Sequence, residues 1–297
     1  MQRSSTAAPP TVSGRWLLVA ASLSISTAAI CGWLTLCLLF WQGSWQLLYH
    51  PASAVLRTPA SVGMAFDPVA FAATEAGEPR LKGWWISAEP DARYARFTVL
   101  YLHGQTGNLG DAVEDLSTLH SVGVNILAFD YRGYGQSQLA HPSEARWRED
   151  AEWAIAYLTS TRHIAAGSIL LDGRELGADL ALEVAAAHPE LAGVVLESPV
   201  ASPMEAIFSD PRTRMVPARF LLRDRFDLNQ AAAKLHIPSL WMDESADSKT
   251  RANRNVPPPG YGQVQSAKML VWLPQNAIAS HEFTSAYSRW MDDLETK

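Results

Sequence analysis

Cysteine is nearly absent. Cys31 and Cys37 are the only two among 297 residues, and both sit inside one apolar run. That excludes a disulfide scaffold and a cysteine-based zinc site. No block of Lys and Arg stands against the acidity: 24 basic and 30 acidic side chains leave a net charge of -6. Non-specific nucleic-acid binding needs a basic footprint, so no nucleic-acid partner is expected. There is no phosphate-cradling glycine loop and no histidine pair at metal-ligand spacing, so neither a metal nor a cofactor is expected. What is present is 48% hydrophobic and 18% charged residues. Such a chain can bury a core and form one large domain or two small ones.

Charge is missing most completely near the N-terminus. Residues 1–15 carry Arg3 and Arg15 and no acid, and from Trp16 to Leu56 there is no Asp, Glu, Lys or Arg. The remainder therefore holds 22 basic and 30 acidic side chains, a net of -8. Trp16 to Phe40 is long enough to cross the ~30 Å hydrocarbon layer as a helix. Trp41, Trp45 and Tyr49 follow it as an interfacial aromatic belt would. The competing reading is a cleaved signal peptide. An h-region is usually shorter, and Ala52-Ser53-Ala54 lies too far on to be its cleavage site. The reading adopted is a cytoplasmic tail (1–15), an uncleaved transmembrane anchor (16–40) and a stalk (41–60). The positive-inside rule then leaves the N-terminus in the cytoplasm and the rest across the membrane, in the periplasm of a bacterial cell.

From about residue 61 to 297 the pattern changes. Short apolar runs at Phe97–Leu102, Asn125–Asp130, Ser168–Asp172, Gly193–Glu197, Pro238–Met242 and Lys268–Leu273 read as strands. Between them, Glu144–Leu158 and Gly177–His188 read as helices, the first with Ser143 as its N-cap. Strands alternating with helices, and continuously apolar, predict a mostly parallel sheet covered on both faces. Ligands of such sheets bind beyond the strand C-terminal ends.

Three segments carry a resemblance. Leu102-His103-Gly104-Gln105-Thr106-Gly107-Asn108 is similar to the HG-x-x-G-N loop of α/β-hydrolases. Asp130-Tyr131-Arg132-Gly133-Tyr134-Gly135-Gln136-Ser137 is similar to their D-Y-R-G-Y-G-x-S turn. Arg219–Asp227 resembles the small cap of membrane-anchored, serine-aminopeptidase-like members, here spanning about 199–236. The resemblance covers roughly residues 47–295. It implies an α/β-hydrolase fold with helices on both faces, a small cap and a carboxyl-ester hydrolase ancestry.

That family is built around a G-x-S-x-G nucleophile elbow between a strand and a helix. This chain supplies Gly173-Arg174-Glu175-Leu176-Gly177 there, and no G-x-S-x-G occurs elsewhere. Both glycines are kept, and the central residue is Glu175. By resemblance the acid follows strand 238–242, at Asp247 with Asp243 as rival. The usual G-x-x-D is not intact, since Asp243 to Asp247 contains no glycine. The histidine would be His281, seven residues past Pro274, and the oxyanion donors the backbone N–H groups of Gln105 and Leu176. His103 reads as a structural residue of its turn and His188 as a helix-end residue. The arginines at 212, 214, 219, 223 and 225 intermix with Asp210, Asp224 and Asp227 and read as a solvated cap surface.

Glutamate cannot replace serine in acyl transfer. Its attack on an ester gives a labile anhydride, and its charge opposes the developing oxyanion. Three readings remain. The chain is a non-catalytic or strongly impaired relative that binds a small molecule or a protein partner. Alternatively, Glu175 is a carboxylate nucleophile, as the aspartate is in dehalogenases and epoxide hydrolases of the superfamily. Or an ester hydrolase works through another nucleophile, Ser137 or Ser198.

Overall fold

A computed structural model describes residues 13–200, 203–244, 256–273 and 281–296. In chain order, helix α1 (Gly14–Gly43) precedes strands β1 (His50–Pro51), β2 (Asp67–Ala73), β3 (Pro79–Ile86), β4 (Thr98–Leu102) and β5 (Thr106–Gly107). Next come α2 (Val113–His120), β6 (Asn125–Asp130), α3 (Glu144–Ala156), β7 (Ile169–Arg174), α4 (Leu176–Ala187) and β8 (Gly193–Glu197). Three short helices follow, α5 (Pro203–Ser209), α6 (Ala218–Leu221) and α7 (Leu228–Ala233). The chain then runs through β9 (Ser239–Glu244), β10 (Lys268–Leu273) and α8 (His281–Glu295). Contacts divide the chain into two compact units, Met1–Ser44 with Asp210–Leu222, and Trp45–Ser209 with Arg223–Lys297.

In the first unit, α1 is a single 30-residue helix with no buried residue. Its Leu- and Ala-rich run has no proline, and Ser13 caps it by accepting from the Trp16 N–H at 3.3 Å. At 1.5 Å per residue it extends about 45 Å, long enough to cross a bilayer. It is also apolar enough to do so.

The second unit is built on an eight-stranded sheet in the order β10-β9-β8-β7-β4-β6-β3-β2. From β10 to β6 every pairing is parallel, while β3 pairs antiparallel with both β6 and β2. The central strands β4 and β8 are buried at every residue, which is why they read as unbroken apolar runs. The observed β6, β8 and β10 begin and end where the sequence places them. Ser143 caps α3, accepting from the Arg146 N–H at 3.3 Å.

Residues before 60 already pack in the second unit. Leu48 and Tyr49 are buried, Tyr49 stacks edge-on against Trp147, and His50–Pro51 pairs in parallel with Thr106–Gly107. Apolar Leu48 and Tyr49 gain more by burial than by remaining in water, so the chain joins the second unit about ten residues earlier.

Candidate active site

β7 lies between β4 and β8, and its C-terminal end turns into α4 through Glu175. The Glu175 backbone has φ 51 and ψ -122, in the left-handed region where a side chain costs about 1–3 kcal/mol. The Glu175 N–H donates to the Glu197 carbonyl at 2.8 Å, and the Glu175 carbonyl accepts from the Ala178 N–H at 2.9 Å. The two flanking glycines are required by the close approach of strand and helix. A Cβ on Gly173 would strike the backbone of Gly177, and one on Gly177 would strike the Leu102 carbonyl. The elbow geometry is therefore complete, with a glutamate at its tip.

The Glu175 side chain lies over the loop that follows β4. A Cβ placed on Gly104 would come within 2.8 Å of Glu175 Oε2. The next residue, Gln105, is pinned by its carbonyl, which accepts from the His50 N–H at 2.9 Å and from the Tyr134 hydroxyl at 2.8 Å. Its side-chain Oε1 accepts from the Leu176 N–H at 3.2 Å. One of the two expected oxyanion donors is thus already occupied by a side-chain carbonyl. Gln105 must swing aside before Leu176 can serve an oxyanion.

Among the described residues, His281 makes no hydrogen bond to the turn at Glu175. His281 is the first residue of α8 and is exposed, and its Nδ1 lies 3.2 Å from the Ser285 hydroxyl of the same helix. Asp247 lies outside the described residues. Asp243 is half-buried within β9, in register with Trp272, so it belongs to the strand rather than following it. The structure thus gathers Glu175, Leu176 and Gln105, and leaves His281 bonded within its own helix.

The alternative nucleophiles differ from each other. The Ser137 hydroxyl donates to the Asp130 carbonyl at 2.6 Å and accepts from the Lys82 N–H at 3.0 Å, so it is a turn-closing residue. Ser198 ends β8 in a second left-handed turn, with φ 45, its N–H donating to the Met242 carbonyl at 2.7 Å. Among the described residues no hydrogen bond joins its hydroxyl to a base.

The other motif residues serve the scaffold. His103 is buried among Tyr131, Tyr134 and Trp147, and its Nδ1 lies 2.8 Å from the Gly104 carbonyl. Burial pulls its pKa down to about 4, so the ring is neutral at pH 7 and donates from Nδ1. Asp130 accepts from the Leu109 N–H at 2.9 Å, and burial pushes its pKa up to about 7. Arg132 is clamped by buried Asp150, which accepts from both its backbone N–H at 2.9 Å and its Nε at 2.5 Å. His188 sits between Glu190 and Glu152. Partial burial works against its charge, but the two carboxylates outweigh that and hold its pKa up.

A buried polar group near the elbow was not foreseen. Asp172, three residues before Glu175, and Glu197, in register with Arg174, are buried on neighbouring strands, with the Tyr287 hydroxyl of α8 completely buried as well. Both Asp172 oxygens, Glu197 Oε2 and the Tyr287 hydroxyl find no hydrogen-bond partner of good geometry. Burial pushes both carboxyl pKa values up, and for Glu197 the neighbouring Asp172 adds to it. Two such carboxyls cannot both ionise cheaply. Arg174 instead pairs with Asp115 at 2.8 Å, and Asp115 also lies 3.4 Å from the Tyr101 hydroxyl. The only trace of this group in the sequence is an acid closing each of two apolar strands, in ILLD and in VVLE.

A mixed eight-stranded sheet, an elbow after a central strand and an HG turn beside it define the α/β-hydrolase fold. Comparison with known proteins agrees. The family model of serine aminopeptidases, S33, matches residues 93–254. The uncharacterized protein Rv2307c of Mycobacterium tuberculosis (strain ATCC 25618 / H37Rv) is 30% identical over 207 residues, 70% of this chain and 71% of that protein. The uncharacterized protein YfhR of Salmonella typhi is 28% identical over 214 residues, 67% of this chain and 69% of its own. Among solved structures, an α/β-hydrolase from Vibrio vulnificus aligns with TM-score 0.57 and 22% identity, covering 79% of this chain and 82% of its own. The Pyrococcus furiosus esterase Pf2001 aligns with TM-score 0.61 and 17% identity, covering 84% and 98%. The chain belongs to the S33 serine aminopeptidase-like family of α/β-hydrolases.

Proposed function

We propose that this is a membrane-anchored α/β-hydrolase-fold protein in which ordinary serine-esterase chemistry is absent or strongly impaired. The observation that carries the reading is Glu175 at the tip of an otherwise intact elbow. Acyl transfer needs a hydroxyl that a base can deprotonate and a hole that welcomes negative charge. Here the elbow offers a carboxylate that would form an anhydride, its oxygen lies over Gly104, and the Leu176 N–H is taken by Gln105. Loss of the nucleophile in a serine protease costs about 10⁶-fold in turnover, with ~10³–10⁴ over water left from the other groups. The fold is then a scaffold that binds a small molecule or a partner without turning it over.

The exposed α1, uncharged from Trp16 onward, is the anchor of this reading. Arg3 and Arg15 on its N-terminal side and the absence of charge from Trp16 to Leu56 favour an N-terminus in the cytoplasm and a hydrolase-like unit outside it.

A second reading is favoured by the strain at Glu175. A left-handed φ is retained although no serine needs it, and retained strain is a mark of working sites. In that reading Glu175 displaces a leaving group at an sp³ carbon, and water with His281 as base hydrolyses the resulting ester.

The test is a fluorophosphonate probe on the full chain and on Glu175→Ser, beside mass spectrometry of the native chain after incubation with an alkyl halide or epoxide. The proposal expects no probe label on the native chain, label on Glu175→Ser if the remaining machinery is intact, and no ester on Glu175. An ester trapped on Glu175 establishes the second reading. Probe label on the native chain overturns both.

A further inference from the structure

A second segment of the chain belongs with α1. Residues Asp210–Leu222 form one compact unit with the apolar helix, and α6 packs against it. Between Gly32 and Trp41 of α1, Cys37 and Phe40 are half-buried, one turn apart on one face, and the other residues are exposed. They lie near the C-terminal end of the helix, where Trp41 begins the aromatic belt.

The segment has two faces. Thr213, Ala218 and Leu222 are buried, and Asp210 caps the first turn by accepting from the Arg212 N–H at 2.8 Å. The outer face presents Phe220, 89% exposed, and Met215, 61% exposed. Beside them stand Arg212, Arg214 and Arg219, all exposed, with the Arg212 guanidinium forked onto Asp210 at 2.9 and 2.7 Å. Three arginines against Asp210 give the segment a charge of +2, on a chain whose total is -6. A large aromatic left in water costs roughly 1.5–3 kcal/mol relative to burial.

We propose that residues 210–222 lie in the headgroup layer of an anionic phospholipid bilayer, with Phe220 and Met215 dipping toward the acyl chains and Arg212, Arg214 and Arg219 at the lipid phosphates. This rests on the reading of α1 as a membrane span, stated above. The occupant is a lipid surface rather than a protein because the segment packs against a helix apolar on all sides, near its aromatic end. Basic residues around an exposed aromatic suit that interface, and guanidinium groups suit phosphate oxygens. The segment is then a second membrane contact beside the span. It fixes how the chain meets the bilayer rather than whether it stays there.

The experiment uses the full chain with Cys31→Ser and Cys37→Ser, and Phe220→Cys carrying an environment-sensitive fluorophore. Phe220 is exposed, so its replacement removes no internal packing. The protein is reconstituted in phosphatidylcholine vesicles with and without phosphatidylglycerol. Probe emission, quenching by a spin-labelled phospholipid and quenching by aqueous iodide are read, and retention in alkaline carbonate tests the span separately. The proposal expects retention, lipid quenching with protection from iodide, and stronger lipid quenching with phosphatidylglycerol. Arg212→Gln, Arg214→Gln and Arg219→Gln together should abolish the phosphatidylglycerol dependence, at about fivefold in lipid association per arginine. Retention with a probe open to iodide overturns the proposal and leaves the span standing. Extraction by carbonate overturns the span reading and the proposal together. A probe shielded from both quenchers, and exposed on dilution, assigns the face to a second copy of the chain and overturns the proposal. Equal quenching with and without phosphatidylglycerol overturns the role of the arginines.

Discussion

Two turns, at the ends of the strands β6 and β7 that flank β4, match the family pattern to different degrees. After β6, in the turn that starts at Asp130, each retained side chain has a structural task. Asp130 holds the Leu109 N–H, Ser137 closes the turn, Arg132 is clamped by Asp150, and Tyr134 pins the Gln105 carbonyl. After β7 the matching residues are the two glycines that let strand and helix touch, and the residue between them is Glu175. The difference teaches that the motifs identifying this family are largely motifs of packing. In this chain they make packing and turn contacts, so their presence says little about catalysis.

The strongest way to break this comparison is to attack the packing residues. Asp150→Ala leaves the buried Arg132 guanidinium without its clamp and should cost about 3–5 kcal/mol. Chemical denaturation of the full chain in detergent would measure it, and a loss under about 1 kcal/mol would remove Asp150 from the account. Gly177→Ala drives a Cβ into the Leu102 carbonyl and should cost at least about 1–3 kcal/mol, or prevent folding.

The buried acids below the elbow sharpen the comparison from another side. Asp172 and Glu197 have pKa values raised by burial, so the folded state holds their protons more tightly than the unfolded state does. Their contribution to stability is fully present below the unfolded values near 4 and is lost as pH rises toward the folded ones. The slope is about 1.4 kcal/mol per pH unit for each proton released on unfolding. Asp172→Asn should therefore flatten the fall in melting temperature between pH 5 and pH 8 and raise it at the upper end. An unchanged pH profile would mean that the pair is not protonated in the folded protein.

The smallest effect is expected at the elbow tip. Glu175→Gly removes the strained φ of a residue with a side chain and should stabilise the fold by about 1 kcal/mol. A destabilisation instead would show that the Glu175 carboxylate makes a contact worth more than the strain.

The sheet was legible where strands are covered on both faces. Asn125–Asp130, Gly193–Glu197 and Lys268–Leu273 stand out because a central parallel strand is apolar throughout. The antiparallel edge, β2 and β3, was not read in full. Its apolar residues are interrupted by Pro68, Arg80 and Lys82. The elbow was legible from its glycines, whose spacing is a backbone requirement. The rest of the site was not, because it depends on side chains brought together from afar. Gln105 reaching Leu176, and Asp172 meeting Glu197 and Tyr287, follow from strand register and helix docking, which no local pattern encodes. His281 was expected by its place after the last strand, but an exposed helix start is compatible with many roles.

The central claim is that an acidic side chain has displaced the acylating hydroxyl while the frame around it persisted. Its most direct test is rapid mixing of the purified native chain with excess p-nitrophenyl acetate, followed by acid quench and intact-mass measurement. The account predicts no burst of p-nitrophenol and no acetyl adduct on the protein. A burst stoichiometric with protein, with acetate mapped to Ser198 or to another serine, would contradict it.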